Sequence, residues 1–369
     1  MTTIYLIRHA EAEGNLYRIA QGQYDSNLTD RGWRQVRALE RRFADIHIDA
    51  VYSSDLYRTC ATASAVYKPK GLPLHRVPEL REICVGDWEQ RTWGDIYRQE
   101  PAQMENFNLH PERWHVEHAE TPQQVLDRAL GAIRRIAEAN DGKTVAVFSH
   151  GYAIRLVLAA LQGYTVAQMA QTPVGDNTAV SVLEAEGDTL RVIARDDNSH
   201  LLTPEFLAGE KVRRRANGLE PGLYFKPLRM EEQAELLTEM VSAAWKERAR
   251  EVPFDKERLL TDAAARSTLV GYLREEPVGL VQFGPENGWI SLACIREDCR
   301  KKGFGGQLIG QAVQYTRARG GERLYVSLPE NSPAAQFFGD YGFAPAADAE
   351  DGRAVLEKDI GFDPEILGK

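Results

Sequence analysis

The chain has 369 residues, enough for two or three domains, and its 43% hydrophobic and 27% charged residues are typical of a globular protein. Its net charge of −9 argues against nonspecific binding to nucleic acid but is compatible with a local cationic pocket for a small anion. No apolar run approaches the roughly 18 residues of a membrane helix, and there is no signal-peptide pattern, so we expect a cytoplasmic protein with no membrane partner. The four cysteines show no zinc spacing and are expected to be reduced thiols.

Strand-like and helical patterns alternate over the first 205 residues. Short apolar runs that are typical of buried strands cover residues 4–7, 48–52, 144–148, 180–183 and 190–194. Helical spacing of apolar residues follows Thr29, a suitable N-cap, as far as Phe43, and a second helix is predicted to begin at Thr121-Pro122. This alternation predicts an α/β domain over residues 1–205, in which helices cover both faces of a mostly parallel sheet.

A change of pattern divides the chain in two. Residues 206–222 combine charge, Gly and Pro without apolar periodicity, which predicts a linker. Beyond it, over residues 223–369, a helix near 231–248 precedes three strand-like runs at 268–273, 277–283 and 289–295. A Gly-rich turn, a helix at 307–318, a strand at 323–328 and a helix near 333–341 complete the series, which predicts a smaller α+β domain.

Two histidines directly follow predicted strands. The first strand runs into Arg8-His9, with Asn15 six residues after the histidine, and the third strand runs into His150-Gly151. Open α/β sheets bind ligands at the carboxyl ends of their strands, so both histidines are candidates for one site. A guanidinium beside an imidazole at that edge suggests an oxyanion site that contains a nucleophile.

Two further segments carry groups suited to the same chemistry. Arg58 is predicted in the first turn of a helix that starts after Ser54, and a helix N-terminus with an arginine can cradle a phosphate. Glu82 lies in an irregular segment that continues into Gly-Asp-Trp-Glu at residues 86–89. Taken singly, each of these segments would be read as an ordinary cap, a surface arginine or an acidic loop.

In this order, the motifs resemble those of the histidine phosphatase superfamily, also called the phosphoglycerate mutase-like family. The resemblance covers roughly residues 1–205, and it implies that family's three-layer α/β/α fold. The sequence departs from the family pattern at Ala10, where glycine is usual, but a small residue still permits the close approach that is needed there.

The resemblance also implies a mechanism. His9 attacks phosphorus and becomes phosphohistidine, and Glu82 protonates the leaving oxygen and then activates water. The groups that hold the phosphoryl oxygens would be Arg8, Asn15, Arg58 and His150. No metal or other cofactor is expected in this domain, and the free nitrogen of His9 calls for an acceptor on the other ring nitrogen.

Hydrolase and mutase are alternatives within this family. A mutase usually keeps extra basic residues near the leaving group, whereas residues 100–120 contain aromatic, acidic and histidine side chains without a dense Lys/Arg cluster. We therefore favour a phosphatase acting on a small-molecule phosphoester, with a phosphoglycerate-type mutase as the alternative.

The C-terminal region resembles the GNAT acyltransferase family. Arg300, Gly303 and Gly305 match its first motif, and Asn331 and Ala334 match its second. The resemblance covers roughly residues 223–360 and implies acetyl-CoA as a co-substrate, with its pyrophosphate on the backbone of residues 300–306. The residues expected to contact it are Arg300, Gly303, Phe304, Gly305, Gly306 and Asn331.

One departure leaves the role of this second domain open. Many family members carry a tyrosine as general acid where this chain has Phe338, and Tyr341 lies three residues further on. Phenylalanine cannot donate a proton, so the domain either transfers an acyl group by other means or binds CoA as a regulator. A third alternative makes N-acetyl transfer the principal activity of the chain. The phosphoester, the acyl acceptor and the oligomeric state are not indicated by the sequence.

Overall fold

The computed structural model describes residues 1–210, 222–246, 256–329, 332–346 and 353–368. The strands of the first sheet are β1 (Thr2–Arg8), β2 (Ala50–Ser53), β3 (Leu74–Arg76), β4 (Thr144–Ser149), β5 (Val180–Glu186) and β6 (Thr189–Asp197). The strands of the second sheet are β7 (Tyr224–Pro227), β8 (Ser267–Leu273), β9 (Glu276–Gly284), β10 (Trp289–Ile295), β11 (Arg323–Pro329), β12 (Ala344–Pro345) and β13 (Arg353–Asp359).

Helices occur on both sides of the linker. Those before the linker are α1 (Glu13–Tyr17), α2 (Asp30–Phe43), α3 (Tyr57–Lys70), α4 (Trp93–Gln99), α5 (Pro101–Leu109), α6 (Pro122–Ala139), α7 (Gly151–Leu161) and α8 (Pro204–Ala208). Those after it are α9 (Met230–Lys246), α10 (Lys256–Ala265), α11 (Phe304–Arg317), α12 (Pro333–Gly339) and α13 (Pro364–Leu367). In the described part of the chain, no helix is both long enough and apolar enough to span a bilayer.

The first sheet has the strand order β3-β2-β4-β1-β5-β6 and is parallel from β3 to β1, with only β5 reversed. Alternate residues of β1 face opposite layers, as the period of a strand requires: Ile4 and Leu6 pack with α6 and α7, and Ile7 packs with α2 and α3. The predicted three-layer arrangement is confirmed.

Local capping explains where two of the predicted helices begin. The Thr29 side chain accepts a hydrogen bond from the backbone N–H of Gly32 at the start of α2. Thr121 and Gln124 form a reciprocal capping box at the start of α6, with Pro122 in its first turn. Both helices start where the sequence predicts them.

The second sheet has the order β12-β13-β11-β10-β9-β8-β7 and is antiparallel except where β10 meets β11. This parallel pairing joins only Trp289 to Tyr325 and Ile290 to Val326. Helix α11 packs on this sheet through residues that include Leu308 and Ile309. The predicted α+β domain is confirmed.

The described part of the predicted linker packs on the first domain. In α8, Phe206 is buried in a cluster with Ala38 and Leu201, and Glu210 pairs with Arg31 at 2.9 Å. Residues 211–221, which include the triple arginine, lie outside the described residues.

The two domains share apolar cores. Tyr17 and Ile19, which lie in and just after α1, are buried in the same cluster as Leu308 and Ile309 of α11. Gly310 of α11 makes this contact possible, because a Cβ at that position would lie 2.5 Å from the Cβ of Tyr17.

The end of the chain returns to the first domain. Ile366 of α13 is buried in the cluster that contains α2 and α3, and Phe362 packs on the ring of Tyr57 at a centroid distance of 4.8 Å. The C-terminal segment therefore stabilises the helix that carries Arg58.

Candidate active site

Three strand ends meet at the carboxyl edge of the first sheet. The parallel strands β1, β4 and β2 are in register up to their last residues, and the polar residues His9, His150 and Ser54 follow them. The ring centroids of the two histidines are 5.3 Å apart, and Nε2 of His150 lies 2.9 Å from Oγ of Ser54. The topology brings together side chains that are 141 residues apart in sequence.

His9 has one ring nitrogen available for reaction. Its Nδ1 lies 2.7 Å from the carbonyl oxygen of Ala10, which can only accept, so Nδ1 carries the proton and Nε2 carries the lone pair. The Thr62 hydroxyl accepts from the Ala10 N–H at 2.9 Å and fixes this turn. Burial, and then the positive charges of Arg58 and Arg8, hold the pKa of His9 well below its usual value of 6.5. The imidazole is therefore neutral and nucleophilic at pH 7.

Three buried nitrogen atoms near His9 have no hydrogen-bond partner among the described residues. They are Nε of Arg8, Nε of Arg58 and Nδ1 of His150. Buried polar groups in folded proteins are almost always paired, so a cluster of unpaired nitrogen atoms indicates a binding position for an anion. Burial lowers the pKa of both arginines and of His150. Each guanidinium nevertheless stays charged, because the pKa of arginine lies far above neutral pH even when it is lowered.

Gly151 allows the start of α7 to lie against Arg8. A Cβ at this position would lie 3.0 Å from Nε of Arg8, closer than side chains ordinarily approach. Glycine at this position therefore permits the close approach of the Arg8 guanidinium.

Glu82 is held at the N-terminus of α7. Its carboxylate accepts hydrogen bonds from the backbone N–H groups of Tyr152 and Ala153, both at 3.0 Å. Burial lowers the pKa of Arg8 and Arg58, and among the neighbouring charges that of Glu82 raises it most. Glu82 therefore lies within electrostatic range of both guanidinium groups. The carboxylate therefore lies beside the anion position and can exchange a proton with a group bound there.

Arg58 is oriented by a loop of the first domain. Its Nη2 and Nη1 donate to the carbonyl oxygens of Gly22 and Tyr24 at 2.7 and 3.0 Å. The carboxylate of Glu89 in turn accepts from the backbone N–H groups of Gly22, Gln23 and Tyr24 at 2.7–3.1 Å. The 86–89 segment thus shapes the loop that holds Arg58.

Asn15 lies at the rim of the site, not inside it. Its Oδ1 accepts from the backbone N–H of Ala12 at 3.0 Å and so caps α1, while the side chain is exposed. Asn177 lies between it and the nucleophile, with its Nδ2 3.0 Å from the carbonyl oxygen of His9 and 3.5 Å from Oδ1 of Asn15. Contact between Asn15 and a phosphoryl group stays a prediction.

Several positioning residues were not selected from the sequence. Arg128 of α6 binds the carbonyl oxygens of Glu79, Arg81 and Glu82 at 2.7–2.9 Å and so holds the segment that carries Glu82. Nothing in the sequence distinguishes it from a surface arginine. Ser54 could have been found, because it follows a strand in the same way as the two histidines.

An aromatic cluster lies under residues 100–120, the segment that we expect to cover the substrate and call the covering segment. Phe107 of α5 stacks on Tyr152 at 5.0 Å and packs edge-on against Trp88 and Trp114 at 5.7 and 5.1 Å. His118 is exposed and pairs with Asp87 at 2.8 Å. The segment is therefore anchored by apolar packing beside the helix that holds Glu82.

The Gly-rich turn of the second domain begins α11. Gly303 is its N-cap and has a φ of +87°, a conformation that favours glycine. Arg300 donates from Nε to the carbonyl oxygen of Ile295 at 3.2 Å. The first N–H groups of a helix have no intrahelical acceptor, so those that follow Gly303 can bind an anion. Asn331, also expected at this site, lies outside the described residues.

The other two glycines of this turn have a packing role. Cβ atoms at Gly305 and Gly306 would lie 2.6 Å from the ring of Phe337 and 2.7 Å from that of Tyr341. Phe338 is buried in the core beside Phe343, at a ring distance of 5.0 Å. Glycine is needed here so that α12 and the residues after it can pack against α11. Within the described residues, no group of three or more His, Cys, Asp or Glu is arranged to hold a metal ion.

Comparison with known proteins gives two family matches. Residues 4–198 match the model described as the histidine phosphatase superfamily (branch 1). Residues 231–343 match the acetyltransferase (GNAT) family. The boundary between the matches falls where the sequence pattern changes.

Curated relatives of the first region have several different names. Phosphoserine phosphatase 1 of Hydrogenobacter thermophilus is 28% identical over 50% of this chain and 88% of its own length. The adenosylcobalamin/alpha-ribazole phosphatase of Escherichia coli is 31% identical, over 43% of this chain and 79% of its own. A probable phosphoglycerate mutase, GpmB of Proteus mirabilis, is also 31% identical, over 44% and 76%. Among solved structures, YhfR of Bacillus stearothermophilus is 31% identical with a TM-score of 0.53, covering 55% of this chain and all of that one.

Proposed function

The chain belongs to the histidine phosphatase superfamily and carries a GNAT-family domain after it, and from that premise we propose that its first domain hydrolyses a small phosphate monoester through a phosphohistidine intermediate. The cluster of unpaired buried nitrogen atoms on Arg8, Arg58 and His150 supports this function most directly. A phosphoryl group beside His9 would give these atoms partners and place phosphorus next to the free Nε2.

In the first step, Nε2 of His9 forms a bond to phosphorus while the bond from phosphorus to the leaving oxygen breaks. Glu82 delivers a proton to that oxygen, so the alcohol leaves neutral. The guanidinium groups of Arg8 and Arg58 hold the phosphoryl oxygens, which supplies the positioning and charge stabilisation that phosphoryl transfer needs.

In the second step, water attacks phosphohistidine and Glu82 accepts its proton. Inorganic phosphate leaves, and His9 returns to the neutral form with its proton on Nδ1. The Ala10 carbonyl supports both steps, because it keeps Nδ1 protonated and Nε2 free. These roles for His9 and Glu82 require no metal ion.

Hydrolysis is preferred over mutase activity. A mutase retains its product for a second phosphoryl transfer, usually with extra basic groups around the leaving group. Arg113, the arginine of the covering segment, is exposed and pairs with Glu112 at 3.3 Å. The covering segment is anchored instead by the aromatic cluster, which adds no positive charge to the mouth of the site.

For the second domain, we propose acetyl-CoA as the ligand, with its pyrophosphate on the backbone N–H groups after Gly303. The αL turn and the helix start that follows it support this assignment. Phe338 in the core supplies no acid for acyl transfer, so binding is the minimal function. N-acetyl transfer, as a second or as the principal activity, is the alternative that an acetyl transfer assay would reveal.

The first function is tested by hydrolysis of 4-nitrophenyl phosphate in the presence of EDTA. His9→Ala is expected to lower kcat by at least about a thousandfold, because the nucleophile is lost. His47→Ala is the matched control, since His47 is 83% exposed, pairs only with Asp49 and lies outside the site. Full activity in His9→Ala would refute the assignment.

A second readout separates hydrolase from mutase. Phosphohistidine survives alkaline denaturation. Enzyme that has taken a labelled phosphoryl group from its substrate should therefore yield, after alkaline denaturation and digestion, a labelled peptide that contains His9. Phosphoglycerate isomerisation without release of inorganic phosphate, followed by phosphorus NMR, would favour the mutase alternative.

A further inference from the structure

A buried arginine of the second domain binds the first domain. Arg317, in the last turn of α11, donates from Nη1 and Nη2 to the two carboxylate oxygens of Glu13 at 2.8 and 3.1 Å. Its Nε and Nη2 also bind the carbonyl oxygen of Ile360 at 3.0 and 2.6 Å. Only 15% of the Arg317 side chain and 7% of the Glu13 side chain are exposed. This bidentate geometry neutralises the charge of Glu13 and also fixes the position of its carboxylate.

Glu13 closes a loop of the first domain, residues 13–27, which we call the Arg58 loop. The other carboxylate contact of Glu13 is the backbone N–H of Asn27, at 3.0 Å, and the Glu13 N–H donates to the Asn27 carbonyl at 2.9 Å. The Asn27 side chain reaches the second domain as well, donating to the carbonyl oxygen of Gly361 at 2.6 Å. The two ends of the loop are therefore joined at a point that Arg317 holds.

The Arg58 loop presents its carbonyl groups to Arg58. Gly22 and Tyr24 accept the hydrogen bonds that orient this guanidinium, so the position of the loop sets the direction of its remaining N–H groups. The phenol of Tyr24 faces Arg317: burial raises the pKa of Tyr24, and the Arg317 charge and hydrogen bond oppose that rise. Tyr24 thus contacts Arg58 through its backbone carbonyl, and its phenol lies within electrostatic range of Arg317.

Both domains support this loop. Glu89 of the first domain binds its backbone N–H groups at residues 22–24. Arg317 of the second domain binds Glu13 at the base of the loop, and its charge acts on the phenol of Tyr24. Removing Arg317 would leave the buried Glu13 carboxylate without its cation, and the loop would have to move to bring that charge to water.

We propose that Arg317 is a positioning residue for phosphoryl transfer, which acts through Glu13 and Tyr24 to hold Arg58 in place. The second domain then completes the phosphate site of the first without touching the substrate. This inference rests on the proposed phosphatase function, because it concerns the same phosphoryl clamp. A small displacement of a clamping guanidinium weakens both binding and transition-state stabilisation.

The test compares Arg317→Met, Arg317→Lys, Tyr24→Phe and the double variant Arg317→Met/Tyr24→Phe in the full-length chain. Steady-state kcat and KM are measured with 4-nitrophenyl phosphate, and inorganic phosphate affinity is measured by calorimetry. The control is Arg319→Met: Arg319 lies just beyond α11, is 44% exposed and pairs with Glu286 at 3.3 Å. Circular dichroism gives the folded fraction of each variant.

Arg317→Met is expected to lower kcat/KM about tenfold, with a clear rise in KM and a matching loss of phosphate affinity. Tyr24→Phe should lower it about threefold, because the backbone carbonyl that binds Arg58 remains. The double variant should be no worse than Arg317→Met alone, since any effect of the Tyr24 phenol passes through Arg317. Arg317→Lys should recover part of the loss by restoring the charge, and Arg319→Met should match wild type.

An Arg317 that only docks the domains would give a different result. Loss of folded protein lowers the apparent kcat and leaves KM and phosphate affinity unchanged, and that outcome would overturn the inference. If the wild type binds phosphate but has no turnover, the proposed hydrolysis is wrong, while the affinities still test Arg317. If the wild type does neither, both proposals are refuted.

Discussion

The two candidate sites of this chain are built from different parts of the polypeptide. The first gathers charged and aromatic side chains at three strand ends, and its unpaired nitrogen atoms belong to Arg8, Arg58 and His150. The second is a backbone turn at Gly303, whose neighbouring glycines pack against Phe337 and Tyr341. A side-chain site can both bind and react, whereas a backbone site can bind while lacking any reactive group.

The largest expected effect tests whether reactivity in the first site resides in one side chain. Glu82→Gln cannot donate a proton and should lower kcat/KM for phenyl phosphate by about 10²–10⁴-fold. The loss should be much smaller for 4-nitrophenyl phosphate, because its leaving group is stable as an anion. Glu79→Gln is the control, since Glu79 is 44% exposed and pairs with Arg135. Equal losses on both esters would show that Glu82 is not the acid.

A smaller effect should distinguish the two domains by pH. All eight histidines lie in the first 200 residues, and burial with the nearby Arg42 charge lowers the pKa of His200 to about 4. The unfolded chain takes up protons as the pH falls through about 6.5, while His200 in the folded chain stays neutral until about pH 4. Stability is therefore lost as the pH falls across this window, by about 2 kcal/mol between pH 7 and pH 5 for His200 alone.

Hydrogen exchange at pH 7 and pH 5, corrected for the intrinsic rates, would measure this difference. Peptides from the first domain should lose protection at pH 5 by more than peptides from the second, and His200→Gln should flatten the dependence. An equal loss of protection in both domains would contradict the assignment of acid sensitivity to the buried histidines.

The smallest expected effect concerns the backbone site. Gly303→Ala places a Cβ at a φ of +87° and should cost about 1 kcal/mol of stability, with about a fivefold loss of CoA affinity as the turn distorts. The matched control is Gly320→Ala. Gly320 lies just beyond the other end of α11, has a φ of +78°, and a Cβ at this position would meet no other atom. Calorimetry with CoA should separate the two variants, and equal CoA affinities would remove Gly303 from the site.

Much of the first domain could be predicted from the sequence because its signals are local. Short apolar runs placed the central strands, and threonine caps placed the starts of α2 and α6. His9 and His150 were paired by one general rule, that the carboxyl ends of parallel strands meet at the same edge of a sheet. Residues chosen in this way lie at or beside one position in the structure.

What the sequence did not predict depends on contacts between distant segments. The roles of Arg128 and Arg317 follow from the carbonyl and carboxylate groups that the fold brings to them, and each resembles an ordinary surface arginine in its own helix. The side-chain oxygen of Asn15 caps α1 and the residue is exposed, so the contact with a phosphoryl group that its motif suggests stays a prediction. The packing of Gly305 and Gly306 against aromatic rings was not evident from the sequence either, and their contact with a ligand stays a prediction.

The return of the C-terminal segment to the first domain has a consequence for the timing of synthesis. Asn27 binds the backbone of Gly361, and Tyr57 packs on Phe362, so the ribosome makes each partner more than 300 residues after the residue that it contacts. At about 5–20 residues per second, the roughly 155 residues between the first domain and these contacts take about 8–30 seconds to synthesise. During that interval the helix that carries Arg58 lacks part of its packing, and the side chains that Phe362 and Ile366 later cover are exposed on the nascent chain.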